Sequence, residues 1–451
     1  MKAIVMSSAA PEPREDKTSV RPENIDALTG LRFIAAFTIA LGHSYAPWGN
    51  VTIVGMPLFF TLSGFIIHYI YSDTFGSSWR PAAAKFAAAR FSRIYPLYFI
   101  LLLVAFVATP MGKTLWQTGN MWLILSYVFA CFTWFPLSID GKITAEWYYG
   151  ISWSVSTEIF FYLAYALVLF RLNRIQNARR CLIVVVTFVI STYVLFYIVF
   201  FTRDLWESFA LQVSDLAPRS SGFGNSFYRW LLYTSPYARI FEFIGGCLTC
   251  QLYLLVRNST KSRSRLITEL FGWLPCLLIV GTMIIFEPIA QHHPWLAVGD
   301  HSFQAFFVNL HMNFLLAPFC CLLIFALAWG RSTVSRILSW GGIVLLGEIS
   351  YSTYLGHPLA QGFAQGLWLP QSPPASVACE LLVIYLFSWM FFAAIEVPSK
   401  AGLRRFFAAR PLNLVAGLLH RPAWARSSAS STLIHAQETA VDRLDELQKS
   451  S

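Results

Sequence analysis

The stretch Leu31-Arg32-Phe33-Ile34-Ala35-Ala36-Phe37-Thr38-Ile39-Ala40-Leu41-Gly42-His43 opens an apolar run that continues to Trp48. A helix rising 1.5 Å per residue needs about 20 such residues to cross a hydrocarbon layer roughly 30 Å thick. Read this way, the run is a transmembrane helix with a charge near one end and a histidine near the other. Similar runs follow at 53–71, 94–109, 121–136, 151–170, 182–201, 231–255, 270–286, 303–329, 342–367 and 376–395. Of the 451 residues, 56% are hydrophobic and only 12% charged, too few to screen these runs from water. The bilayer therefore acts as solvent, and the expected fold class is all-α, a polytopic membrane helix bundle.

Eleven crossings would place Arg171, Arg174, Arg179 and Arg180 outside, against the preference of basic residues for the cytoplasm. The run 121–136 is short and carries Trp122, Tyr127, Phe132 and Trp134, which suits a re-entrant or interfacial helix. Demoting it leaves about ten transmembrane helices, puts every basic loop on one side and makes both termini cytoplasmic. Residues 1–24 have no apolar segment of the signal-peptide kind and read as a cytoplasmic tail. Residues 25–403 form the membrane domain. Residues 404–451 read as a largely disordered cytoplasmic tail, with at most a short helix near Asp442–Gln448. No internal repeat is visible, which counts against the repeat-built transporter architectures.

The net charge of +10 is distributed between spans rather than along one stripe, so nucleic acid is not the expected partner. All eight cysteines lie in or beside apolar runs, which argues against a disulfide framework. Cys247 and Cys250 form a C-x-x-C with no second pair, and His292-His293 lacks a third ligand, so no metal site is expected. No Walker or G-x-G-x-x-G fingerprint is present.

Ionisable groups inside a bilayer cost several kcal/mol, so those within spans are functional candidates. Arg32 and His43 are eleven residues apart, which returns a helix to within about 20° of its starting direction after a rise of roughly 16 Å. Trp153-Ser154-Val155-Ser156-Thr157-Glu158 sets Ser154 and Glu158 on one face. Ser350, Tyr354 and His357 share another face, with Pro358 expected to kink the helix beyond them. Arg90 and Arg93, at the end of an Ala-rich cytoplasmic loop, suit bidentate phosphate binding or anionic lipid headgroups. Arg239 and Glu242, three apart, are expected to pair with each other, and Glu348 and Glu396 read as boundary charges.

Several of these pieces, in this order, resemble the acyltransferase 3 family of integral membrane O-acyltransferases. They are Leu28-Thr29-Gly30-Leu31-Arg32 with His43, Met56-Pro57-Leu58-Phe59-Phe60-Thr61-Leu62-Ser63-Gly64-Phe65, and Arg90-x-x-Arg93 before Tyr95-Pro96. Trp153-Ser154-x-x-x-Glu158, Ser350-Tyr351-Ser352-x-Tyr354 with His357, and Glu396-x-Pro398 complete the series. Gly356 stands before His357 where an aromatic residue is frequent. The resemblance implies transfer of an acyl group, commonly acetyl, from cytoplasmic acyl-CoA (acetyl-CoA) to a hydroxyl of an envelope carbohydrate or lipid-linked acceptor, in a bacterial inner membrane. On this reading Arg32, Arg90 and Arg93 hold the coenzyme A phosphates. His43, supported by Glu158, serves as general base or transient acyl carrier, and Ser63, Trp153, Ser154, Tyr354 and His357 line the substrate path. The rival readings are a proton-coupled secondary transporter or flippase using His43, Glu158 and His357 as a relay, and a noncatalytic membrane scaffold.

Overall fold

A computed structural model of the chain describes residues 25–72, 79–139, 141–214, 216, 225–257, 264–293, 302–330, 332–367 and 372–402. The expected tails at 1–24 and 404–451, and the short helix near Asp442–Gln448, lie outside the described residues. The first half comprises α1 (Ile25–Ser44), α2 (Thr52–Tyr71), α3 (Trp79–Ala108), α4 (Pro110–Gln117), α5 (Met121–Val128), α6 (Thr144–Trp147), α7 (Trp153–Leu172), α8 (Ala178–Phe201) and α9 (Arg203–Val213). The second half comprises α10 (Phe227–Arg229), α11 (Pro236–Val256), α12 (Arg265–His292), α13 (Phe303–Asn313), α14 (Ala317–Trp329), α15 (Thr333–Leu338), α16 (Gly341–Glu348), α17 (Ser350–Gln365) and α18 (Pro373–Phe391). A two-residue hairpin pairing Ser138–Ile139 with Lys142–Ile143 is the only sheet among the described residues.

Among the described residues, eight helical segments are long and apolar enough to cross a membrane, or nine when α13 and α14, bent by 42°, count as one. The protein is an integral membrane helix bundle. Leu182, Ile183, Val186, Ile190 and Val194 on α8, and Leu266, Leu270, Leu274, Leu277 and Ile284 on α12, are exposed; only lipid makes such surfaces stable. The count falls short of ten because the run at 342–367 divides at Ile349 into α16 and α17, and α17 spends its length on Ser350, Ser352, Thr353, His357 and Gln361. The run at 121–136 yields only the eight-residue α5, far too short to span. Arg90 and Arg93 sit within α3, whose helix extends back to Trp79 before the apolar run, and Pro358 lies inside α17.

The bundle is organised on α2, which packs against α1, α11 and α14 and buries most of its residues. Its contact with α11 is made backbone to backbone: a Cβ on Gly64 would lie 2.0 Å from the Phe243 carbonyl oxygen, and one on Gly246 would lie 1.9 Å from that of Thr61. Cys247 Sγ donates to the Gly64 carbonyl at 3.3 Å, so the C-x-x-C serves this contact. The break between α13 and α14 leaves terminal carbonyls in an apolar interior. Arg239 supplies the donors, through Nη1 to Asn313 O at 3.0 Å and Nη2 to Met312 O at 3.4 Å. Its charge is answered by Glu242, 2.9 Å away as the spacing predicts, with both side chains almost fully buried.

Candidate active site

Two neighbouring cavities lie in the bundle. The first lies along the N-terminal half of α1 and includes Arg32, Ser63, Arg90, Arg93, Ser154 and Glu158. The second lies at the C-terminal end of α1 and includes His43, Glu146, Trp153, Arg229 and Tyr233. Met56 and Tyr354 line both. The eleven-residue spacing of Arg32 and His43 thus places one side chain in each chamber, as a single helical face requires.

Three guanidinium groups and one carboxylate line the first cavity. Because α3 extends below the apolar run, Arg90 is carried on a rigid helix and nearly buried. It donates through Nη2 to Tyr71 Oη at 3.3 Å and lies over the Tyr71 ring, while its buried Nε has no hydrogen-bond partner among the described residues. Arg32 and Arg93 form no direct ion pair among the described residues. The charges acting most strongly on Arg32 are Arg93, which repels it, and Glu396 and Glu158, which attract it. Glu158 accepts hydrogen bonds from Ser63 Oγ at 3.0 Å and Tyr162 Oη at 2.6 Å. A cluster of this kind, with positive charge in excess and a buried donor unused, suits a polyanionic ligand.

His43 is exposed to the second cavity. Its Nδ1 is 2.9 Å from His357 Nε2, and His357 Nδ1 is 2.6 Å from the Tyr354 carbonyl. A carbonyl only accepts, so His357 carries its proton on Nδ1. In the neutral pair, His357 Nε2 is then an acceptor, His43 donates through Nδ1, and His43 Nε2 is left with a free lone pair. That is the tautomer a general base needs. His357 is fully buried, on α17, and lines neither cavity.

Tyr354 is fixed from both sides: its hydroxyl accepts from Ser154 Oγ and donates to Ile151 O, each at 2.8 Å. Trp153 lies 5.2 Å from the Tyr233 ring and 6.0 Å from that of Phe60, and the buried Arg239 sits over both Trp153 and Tyr233. Opposite, Arg229 grips Glu146 through Nε and Nη2 at 2.8–3.3 Å and stacks over Tyr233 at 4.1 Å.

The structure therefore gathers Arg32, Ser63, Arg90, Arg93, Ser154 and Glu158 in one chamber, His43 and Trp153 in the other, and Tyr354 between them. It does not join Glu158 to His43: the hydrogen bonds of Glu158 go to Ser63 and Tyr162, and that of His43 goes to His357. Glu146, Arg229 and Tyr233 line the second chamber without a signal in the sequence, and Met56, which opens the Met56–Phe65 element, lines both. Glu396, read as a boundary charge, is buried, accepts from Ser352 Oγ at 2.8 Å and pairs with Lys400 at 2.6 Å. Its place in the Glu396-x-Pro398 element was the available signal. Tyr233 and Glu396 each sit in a one-turn π-helical segment, Trp230–Thr234 and Phe392–Glu396, a distortion common at functional sites.

Residues 25–394 match the family model described as an acyltransferase domain. The chain is 22% identical over 396 residues to the O-acetyltransferase OatA of Staphylococcus aureus (strain NCTC 8325 / PS 47), covering 85% of this chain and 59% of that protein. It is 21% identical over 401 residues to the peptidoglycan O-acetyltransferase OatA of Listeria monocytogenes, covering 85% and 57%. It is also 22% identical over 343 residues to the putative peptidoglycan O-acetyltransferase YrhL of Bacillus subtilis, covering 74% and 48%. The chain thus spans roughly half to three-fifths of the length of these curated relatives. No solved structure matches it. With a family model extending from the start of α1 through Ala394, and the Arg32–His43 and Arg90–Arg93 elements opening onto adjoining cavities, the chain belongs to the acyltransferase 3 family of membrane proteins.

Proposed function

We propose that the protein transfers an acyl group, acetyl in the simplest case, from acyl-CoA to a hydroxyl of an envelope carbohydrate. The observation that carries this reading is a cationic chamber and a histidine chamber side by side, with Met56 and Tyr354 in the lining of both. Arg32, Arg90 and Arg93 grip the coenzyme A phosphates, and the pantetheine arm delivers its thioester past Tyr354 to His43. His43 Nε2 takes the acceptor hydroxyl proton as the oxygen attacks the thioester carbonyl. The carbon–sulfur bond then breaks, and the departing thiolate takes the proton from His43 to leave as free coenzyme A. His357 holds the tautomer that this exchange requires. Glu158 belongs to the donor chamber, where it offsets part of the arginine charge.

The preference of basic loops for the cytoplasm favours an arginine chamber that opens to that side, where acyl-CoA is found. The names of the relatives specify O-acetylation and peptidoglycan, which favours a polysaccharide acceptor on the opposite face. The test is to incubate the purified protein with labelled acetyl-CoA and glycan fragments. Free coenzyme A and label in the glycan are expected. Movement of solute without acyl transfer would instead establish the transporter reading.

A further inference from the structure

Among the described residues Met56 and Tyr354 are the side chains that line both chambers, so they form the partition between the arginines and His43. They differ in freedom. Tyr354 is held by Ser154 Oγ and Ile151 O and packed against the ring of Phe59 at 5.5 Å. Met56 is buried and apolar, with an unbranched thioether that rotates about three bonds. It sits on α2 one residue before Pro57, whose missing amide removes the hydrogen bond that the Ile53 carbonyl would otherwise receive. Methionine is the side chain that can swing aside here without breaking a polar contact.

We infer that Met56 is the movable side of an aperture between the two chambers, and that its bulk sets which acyl groups reach His43. This rests on the acyl-transfer reading and adds specificity to it. A slender thioester carrying acetyl needs only a rotamer change at Met56. Each further methylene must be accommodated between a mobile thioether and a fixed phenol. Shortening residue 56 therefore admits longer acyl chains, and replacing it with a rigid ring closes the path while the arginine grip stays intact.

The experiment compares Met56→Ala, Met56→Phe and wild-type protein in detergent or nanodiscs, using acetyl-, butyryl- and hexanoyl-CoA with peptidoglycan fragments as the hydroxyl acceptor and release of free coenzyme A as readout. Binding of acetyl-CoA is measured separately by calorimetry. Met56→Ala is expected to raise the butyryl-to-acetyl ratio of kcat/KM at least about tenfold, the lower end of what one methylene is worth in a closed apolar site. Met56→Phe is expected to lower acetyl turnover at least about tenfold, with acetyl-CoA affinity changed less than about twofold, and retained binding shows that it is folded. An unaltered chain-length profile in Met56→Ala together with wild-type turnover in Met56→Phe overturns the aperture and leaves the acyl-transfer reading standing. A wild-type protein that releases no coenzyme A from any of the three donors overturns both.

Discussion

His43 Nδ1 donates to His357 Nε2 across 2.9 Å, joining the end of α1 to a residue 314 positions later in the chain. The partner has no other acceptor nitrogen, because His357 Nδ1 is committed to the Tyr354 carbonyl. The pair therefore fixes a tautomer as well as a position. Replacing His43 with Ala is expected to lower kcat by roughly 10²- to 10⁴-fold, the range supplied by a positioned general base. His357→Ala removes only the orienting hydrogen bond, worth about 0.5–1.5 kcal/mol, or roughly 2- to 12-fold in kcat. KM for acyl-CoA should hold in both, and His357→Gln, which retains an acceptor, should recover part of the rate.

Arg90 carries a second prediction. Its Nε is a buried donor without a partner among the described residues, and a phosphate oxygen would satisfy it. A charge-assisted hydrogen bond contributes about 1.5–3 kcal/mol, so Arg90→Ala should raise KM for acyl-CoA by roughly 10- to 150-fold while kcat changes little. Because α3 fixes the guanidinium plane against Tyr71, Arg90→Lys should restore charge but not affinity. Initial rates over a range of acyl-CoA concentrations decide it.

The Arg239–Glu242 pair predicts a loss of stability rather than of chemistry. Arg239→Met strands a buried carboxylate and uncaps the carbonyls of Met312 and Asn313 at the α13 break. Removing one partner of such a pair costs about 3–5 kcal/mol, seen as a lowered unfolding temperature in detergent. Adding Glu242→Leu should restore only part of this, since the carbonyls remain without donors.

How much of this could be read from sequence follows from what each feature depends on. Spans are legible because apolar length is local: the run at 53–71 matches α2 to one residue, while α1 begins six residues before Leu31, where Ile25, Ala27 and Leu28 extend the helix ahead of the apolar run. The Arg32–His43 face was legible because eleven residues make nearly whole turns of a helix. The broken runs were not: the division at Ile349 reflects where α17 must present Ser352 to Glu396 and His357 to His43, contacts set by remote helices. For the same reason Glu146 and Arg229, 83 residues apart, gave no pattern. The partner of His43 is a different case: chemical reasoning from sequence assigns that support to Glu158, whereas the hydrogen bond of His43 goes to a second imidazole, His357, contributed by a remote helix.

Glu158 gives the prediction that separates those two accounts. Its carboxylate accepts from Ser63 and Tyr162 in the arginine chamber and attracts Arg32. Glu158→Gln keeps the shape and an acceptor oxygen for both hydroxyls, and deletes one negative charge beside the expected phosphate grip. On the geometry found here, kcat should stay within about twofold of wild type, because nothing about the His43–His357 bond changes. KM for the polyanionic donor should be unchanged or lower, because the chamber gains net positive charge. If Glu158 instead steadied the imidazolium at His43, the same substitution would depress kcat by about 10²-fold or more and leave KM alone. A single pair of steady-state constants therefore distinguishes a carboxylate that tunes donor binding from one that serves the base, and a fall in kcat would return Glu158 to the catalytic group.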